Sequence, residues 1–385
     1  MKKIIITMLI LLTAAYAVGA GRGEIAHKAD FSLYLWAPEP EEAPVRNLIY
    51  LIGDGMGLSH VSMLMLEEGY DATSFSRAQN VALITTYSAN NRVTDSAAAG
   101  TALATGHKTD NGMLGVLPDS TAVESIMADA IGVGMPVGVV VTSILQHATP
   151  GAFYAHVPYR RQYQRISDQL AESELTVAFG GGLKYAEKSE KQGGVSGIDR
   201  LRERGFLVLT DPEQLDTLSR GPAMGFFAEG HLPKMLDGRG DFLEKATCKA
   251  LDILSQEAAA RDKGFILMVE GSQIDLRAHD NDARGVLAEM RDFDRAVAEA
   301  MDFADRNPGT LVVVTADHET GGLSIPSADV DFERGDPGIE YDFSTRGHTA
   351  AMVPVYLYGA GAERINGVMD NTELSRELMQ LILPR

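Results

Sequence analysis

The stretch Asn47-Leu48-Ile49-Tyr50-Leu51-Ile52-Gly53-Asp54-Gly55-Met56-Gly57 decides the fold. Asn47 apart, its first six residues are apolar on both faces of an extended chain. That is the pattern of a strand buried inside a parallel sheet. The strand runs into a glycine-rich turn that carries one carboxylate, Asp54. The same grammar recurs along the chain. Leu311-Val312-Val313-Val314-Thr315 is the clearest buried strand, and Asp317, His318 and Glu319 follow it. A strand over 265–269 runs into Glu270, and one over 136–142 is followed by His147 and Thr149. Further strands are expected at 81–86, 175–179, 206–209 and 353–358. Helical segments are expected at 59–68, 123–131, 161–173, 198–204, 241–261, 283–305 and 372–383. This alternation implies an α/β fold with a central, largely parallel β-sheet flanked by helices on both faces. No repeat or linker divides the chain, so 21–385 reads as one catalytic domain preceded by a leader at 1–20.

The leader has the build of a secretory signal. Lys2 and Lys3 precede an apolar run over 4–15, and small residues follow, with cleavage expected after Ala17 or Ala20. The run is too short to span a bilayer comfortably. The mature chain is therefore expected in the periplasm or outside the cell, with no membrane contact. The one cysteine, Cys248, excludes an internal disulfide, so the core must hold the fold. The net charge of −19 argues against nucleic acid as a partner. An anionic substrate would need a local positive site to overcome that field.

The ends of the strands carry the candidate chemistry. In open α/β sheets, sites form beyond the carboxyl ends of strands. Carboxylates next to buried strands are costly unless they are paired or bind metal. One such residue is an ordinary turn or cap, and a lone Asp-x-x-x-His is usually a helix-surface pair. Several from distant parts of the chain suggest a shared metal centre. Asp275 and His279, four apart, share a face if their segment is helical. Oxygen and imidazole donors without thiolate suit zinc, and carboxylate with hydroxyl suits magnesium. A further stretch, Val93-Thr94-Asp95-Ser96-Ala97-Ala98-Ala99-Gly100-Thr101-Ala102, places Ser96 in the first turn of a helix, with Thr94 or Asp95 as the cap. Taken alone, capping is the commoner use of such residues. A helix N-terminus also favours an alkoxide or phosphate held there.

Assembled, these blocks resemble the alkaline phosphatase family. The matching blocks are Gly53-Asp54-Gly55-Met56, Val93-Thr94-Asp95-Ser96-Ala97-Ala98-Ala99, Ala148-Thr149-Pro150 and Ala155-His156-Val157-Pro158-Tyr159-Arg160. They continue with Val269-Glu270-Gly271, Ile274-Asp275, His279, Thr315-Ala316-Asp317-His318-Glu319 and Gly347-His348-Thr349, all in the family's order. The resemblance implies phosphomonoester hydrolysis at alkaline pH through a phosphoserine at Ser96. It implies two zinc ions, one held by Asp275, His279 and His348 and one by Asp54, Asp317 and His318 with the Ser96 oxygen. It implies one magnesium ion held by Asp54, Thr149 and Glu270. Arg160, oriented by Asp95, would clamp the phosphate.

Two positions vary within the family. His147 stands where some bacterial members have aspartate and animal members histidine; it could touch the magnesium or only contact its shell, and the outer-shell role is favoured because the family's direct ligands are already present. Leu276 stands where others carry lysine, histidine or tryptophan, and it offers phosphate no polar contact. The family usually forms homodimers through a crown-like insertion. Here the acidic, loop-like stretch 323–345 is the candidate, and it is small. Rival readings are a phosphodiesterase or sulfatase-like hydrolase of the same superfamily, a non-catalytic metal or phosphate scavenger, and a metal-free serine hydrolase. Arg160 disfavours the first, an intact Ser96 the second, and the lack of a Gly-x-Ser-x-Gly elbow the third.

Overall fold

The computed structural model describes residues 44–189, 194–329, 336 and 338–383. The expected leader at 1–20 lies outside them, as do residues 330–335 and 337 of the expected crown.

Eight strands come first: β1 (Asn47–Gly53), β2 (Asn80–Thr85), β3 (Val137–Ile144), β4 (Val177–Gly181), β5 (Leu207–Leu209), β6 (Ala223–Phe226), β7 (Ile266–Gly271) and β8 (Thr310–Thr315). Four two-residue strands follow: β9 (Glu319–Thr320), β10 (Leu323–Ser324), β11 (Asp342–Phe343) and β12 (His348–Thr349). The last described strands are β13 (Val353–Gly359) and β14 (Gly367–Asp370). One large sheet runs in the order β14-β2-β13-β8-β1-β7-β3-β4-β6-β5. β13 is antiparallel to both of its neighbours, and the other pairings are parallel.

β1 lies between β7 and β8, and Leu48, Ile49, Tyr50, Leu51 and Ile52 have no solvent exposure. Each buried leucine or isoleucine there contributes about 1.5–3 kcal/mol relative to an exposed one. Helices Phe242–Arg261 and Ala283–Arg306 pack together and against β7, and helix Asn371–Ile382 packs on helix Ser96–Thr105.

Register positions the site. Ile52 of β1 is level with Glu270 of β7 and Thr315 of β8, and Glu270 is level with Val141 of β3. The carboxyl ends of four adjacent strands therefore open at one edge, where ligands bind in such sheets.

The long, apolar elements lie within a few residues of their expected places. β6 and β14 had no counterpart in the expectation. Ala223-Met224-Gly225-Phe226 contains no β-branched residue, so its strand character comes from pairing with β4 and β5. The helix expected from residue 123 starts at Ile126, because Ser125 caps it by accepting the Ala128 N–H at 3.2 Å. In the acidic stretch 323–345, β10 pairs with β11 in antiparallel fashion.

Candidate active site

Ser96 opens helix Ser96–Thr105, and Asp95 is its cap, accepting the Ala98 N–H at 3.0 Å. The whole helix is buried, which explains its run of small residues. A side chain at Gly100 would meet Ala152 Cβ and Thr149 Cα at 3.3 Å. That close approach seats the short helical turn Ala148–Gly151, which carries Thr149. Asp95 also accepts from the Gly112 N–H at 3.1 Å and from Arg160 Nη1 at 3.0 Å. One carboxylate thus fixes the start of the serine helix and the guanidinium beside it.

Three groups of side chains converge at the strand ends. Within each group the donor atoms lie within 4.8 Å of one another: Asp275 with His279 and His348, Asp54 with Asp317 and His318, and Asp54 with His147 and Glu270. Asp54 belongs to two of them. Ser96 Oγ lies 3.2 Å from His318 Nε2, which is also 3.2 Å from Asp317 Oδ2.

Histidine tautomers follow from the hydrogen-bond network. His348 Nδ1 is 2.8 Å from the Thr94 carbonyl, and His279 Nδ1 contacts the Arg346 carbonyl. A carbonyl only accepts, so each Nδ1 carries its hydrogen and donates it. The two Nε2 atoms then face each other at 3.2 Å, with Asp275 Oδ1 at 3.3 Å from one and 3.6 Å from the other. Two lone pairs and a carboxylate aimed at one point repel unless a cation or proton lies between them.

The buried carboxylates show the same demand for positive charge. Burial, with Asp317, Asp275 and Glu270 nearby, holds the Asp54 carboxyl well above the ordinary carboxylate range. Burial, then Asp275, pushes Asp317 up to about 8, and burial pushes Glu270 up to about 7. Asp275 goes the other way: burial opposes ionisation, but the His279 hydrogen bond and the nearby His318 and His348 outweigh it. Both oxygens of Asp54 lack a hydrogen-bond donor, as do Asp317 Oδ2 and Glu270 Oε1, and Thr149 Oγ1 and His147 Nδ1 are also buried without partners. Orphaned acceptors at such density cost several kcal/mol unless cations coordinate them. The residues present therefore fit a set of divalent ions.

The family model for alkaline phosphatase matches residues 45–335. The chain belongs to the alkaline phosphatase family. Alkaline phosphatase 4 of Bacillus subtilis is 30% identical over 425 residues, which cover 90% of this chain and 90% of the relative. Alkaline phosphatase of Escherichia coli is 30% identical over 409 residues, 86% of this chain and 85% of that one. The structure of alkaline phosphatase from the Antarctic bacterium TAB5 has a TM-score of 0.80 at 36% identity, covering 89% of this chain and 98% of that one. A histidine-to-aspartate mutant of that protein has magnesium bound in a site called M3.

The structure brings the sequence-predicted Asp54, Glu270, Asp275, His279, Asp317, His318 and His348 into these clusters, with Ser96 against His318 and Arg160 against Asp95. A ring nitrogen of His147 stands as near to Asp54 and Glu270 as a direct donor would. Burial, then Arg160, lowers its pKa to about 3, so the ring is neutral and able to donate a lone pair. Leu276 lies half-buried on helix Gln273–His279. Sequence reasoning missed His231, whose ring packs edge-on against His147 at 5.5 Å. It also missed Ser143 and Ser272, whose hydroxyls both donate to Glu270 Oε2. Ser272 stands two residues after Glu270, a spacing no different from that of an ordinary turn.

Proposed function

We propose that the chain hydrolyses phosphate monoesters to an alcohol and inorganic phosphate, with a phosphoserine at Ser96 as the covalent intermediate. The observation that carries this reading is the placement of the Ser96 hydroxyl. It sits at a helix N-terminus, 3.2 Å from His318 Nε2, beside a guanidinium held by Asp95.

The Ser96 oxygen attacks phosphorus, the bond from phosphorus to the ester oxygen breaks, and the alcohol leaves with a proton. Water then cleaves the new bond between Ser96 and phosphorus and releases phosphate. Arg160 binds two phosphate oxygens at once, which lysine cannot reproduce. A monoester has three free oxygens, so one is left for the clusters when Arg160 takes two; a diester has only two, and the arginine therefore favours monoesters. The helix N-terminus stabilises the serine oxygen as it becomes negative.

Asp275, His279 and His348 would hold one zinc, and Asp54, Asp317 and His318 another with Ser96. Donor sets that combine imidazole with carboxylate suit that ion. Asp54, Thr149 and Glu270 would hold magnesium, with His147 as a direct donor. When bound, these ions lower the pKa of coordinated hydroxyl and water and stabilise the charge on the leaving oxygen. The activity is expected at alkaline pH.

Around this centre, residues 21–385 form one catalytic domain. Residues 1–20 serve as an export signal, and the mature chain acts as a homodimer in the periplasm or outside the cell. No helix among the described residues is long and apolar enough to cross a membrane.

The test compares turnover of an aryl phosphate and of its diester, with acid quench on labelled substrate to trap phosphate on Ser96. Monoester turnover with label on Ser96 is expected. Faster turnover of the diester, or turnover with no serine-bound label, would overturn the reading.

A further inference from the structure

Thr320 is fully buried in β9, where its side chain meets the Asp275–His279–His348 cluster and the Asp54–Asp317–His318 cluster. Its backbone N–H donates to the Gly55 carbonyl at 3.0 Å, and it pairs across β9 and β12 with His348. Its hydroxyl lies 2.6 Å from Asp275 Oδ1 and 3.2 Å from His318 Nδ1. Those two partners belong to different clusters. Gly55 keeps this approach open: with φ of +74°, a side chain there would lie 2.8 Å from Thr320 Oγ1 and 3.0 Å from Asp275 Cα.

Counting hydrogens gives the direction of the chain. A threonine hydroxyl has one hydrogen and can also accept. A carboxylate only accepts, so the hydrogen goes to Asp275. His318 Nδ1 must then be the donor to the hydroxyl oxygen. That leaves His318 Nε2 without a hydrogen, facing Ser96 Oγ at 3.2 Å and Asp54 Oδ1 at 3.5 Å. The other two histidines have their tautomers set by backbone carbonyls. Only His318, among the three, takes its tautomer from a side chain tied to the neighbouring cluster.

We propose that Thr320 is a positioning residue that couples the two clusters, orienting Asp275 in one and fixing the tautomer of His318 in the other through a single hydroxyl. The inference rests on the reading that both clusters hold zinc. Thr320→Val keeps the shape and removes the hydroxyl, whereas Thr320→Ser keeps it.

Zinc affinity is measured on the whole purified protein by competition with a chromophoric chelator. Thr320→Val is expected to weaken both sites together by ~10- to 100-fold, the usual cost of losing an outer partner of a metal ligand. Thr320→Ser is expected to stay near wild type. Imidazole 15N spectra of metal-free wild type should show His318 with its hydrogen on Nδ1.

Three results would overturn the coupling: unchanged affinity at both sites of Thr320→Val, weakening at one site alone, or Thr320→Ser behaving as the valine variant. Should the valine variant fail to fold, the spectra decide, since a His318 hydrogen on Nε2 in wild type also overturns it. Wild type that takes up no zinc would instead overturn the metal reading beneath it.

Discussion

Asp95 stands at the join between the nucleophile and the phosphate clamp, and a double-mutant cycle separates its two tasks. Its Oδ1 caps the serine helix, and its Oδ2 holds Arg160 Nη1 at 3.0 Å. The side chains of Arg160 and Asp95 are only 19% and 22% exposed, so solvent screens the pair less than a surface ion pair. The substitution Asp95→Asn keeps a cap acceptor, because asparagine caps as well as aspartate does. The change therefore removes the negative charge facing Arg160 and leaves the start of the helix intact. A hydrogen bond to a charged group contributes about 1.5–3 kcal/mol, which is a factor of roughly ten to a hundred and fifty. Asp95→Asn should raise the Kd for inorganic phosphate within that range, measured by calorimetry on the metal-loaded enzyme. Arg160→Ala should raise it at least as much. In the Arg160→Ala background, Asp95→Asn should then change Kd by no more than about twofold, the ordinary error of additivity. Should the two losses multiply instead, Asp95 acts on phosphate by some route other than Arg160, and the reasoning fails.

Three further outcomes follow from the site. Ser96→Ala should keep its zinc content by elemental analysis while turnover of an aryl phosphate falls by about a thousandfold or more. Complete chelation should abolish measurable phosphate binding in equilibrium dialysis at alkaline pH, because there the Asp317 and Glu270 carboxyls, pushed up to about 8 and about 7, ionise beside Asp275 and leave the site negative on a chain of net charge −19; undiminished binding would contradict this. His60 gives a stability test at a residue outside the three donor sets. Its buried Nδ1 accepts the Gly57 N–H at 3.1 Å, and burial lowers its pKa from 6.5 to about 4. A depressed histidine pKa means stability that is present above the unfolded value of 6.5 and lost as pH falls towards 4. The gap amounts to about 3 kcal/mol. Urea midpoints of chelated wild type should therefore drop between those limits more steeply than those of His60→Asn, and equal slopes would count against the assignment.

How much of this was legible in the sequence depends on the distance over which each role arises. Asp54, Glu270 and Asp317 could be read because the same pattern recurs at three strand ends. One carboxylate after an apolar strand is an ordinary turn or cap, but three from distant parts of the chain have no cheap structural explanation. The parallel register of β1, β7 and β8 then does the assembly, and the register follows from the same apolar runs. Arg160 was legible only through the resemblance, since nothing in its neighbours distinguishes it from a surface arginine. Thr320 was not legible at all. Threonine after Asp317-His318-Glu319 looks like any strand residue, and its two partners arrive from helix Gln273–His279 and from its own turn. His231 was hidden for the same reason: its packing on His147 depends on a loop returning to β3, where Ile144 donates its N–H to His231 Nδ1 at 3.2 Å.

The residues that could be read from sequence are thus those set against a local pattern, polar groups closing apolar strands or Ser96 at the start of a small-residue helix. Those that could not are the neutral hydroxyls and rings that orient them, because a neutral group leaves no local anomaly. In this chain the division falls along chemical roles. Ionised groups at the strand ends gather the positive charge, and Thr320, Ser143 and Ser272 decide which of their atoms point at it. Asp95 is the exception. It is ionised, but its charge faces Arg160 and the helix cap rather than a cluster. That is why, alone among the carboxylates named here, it could be mistaken for a cap from sequence and is still a cap in the structure.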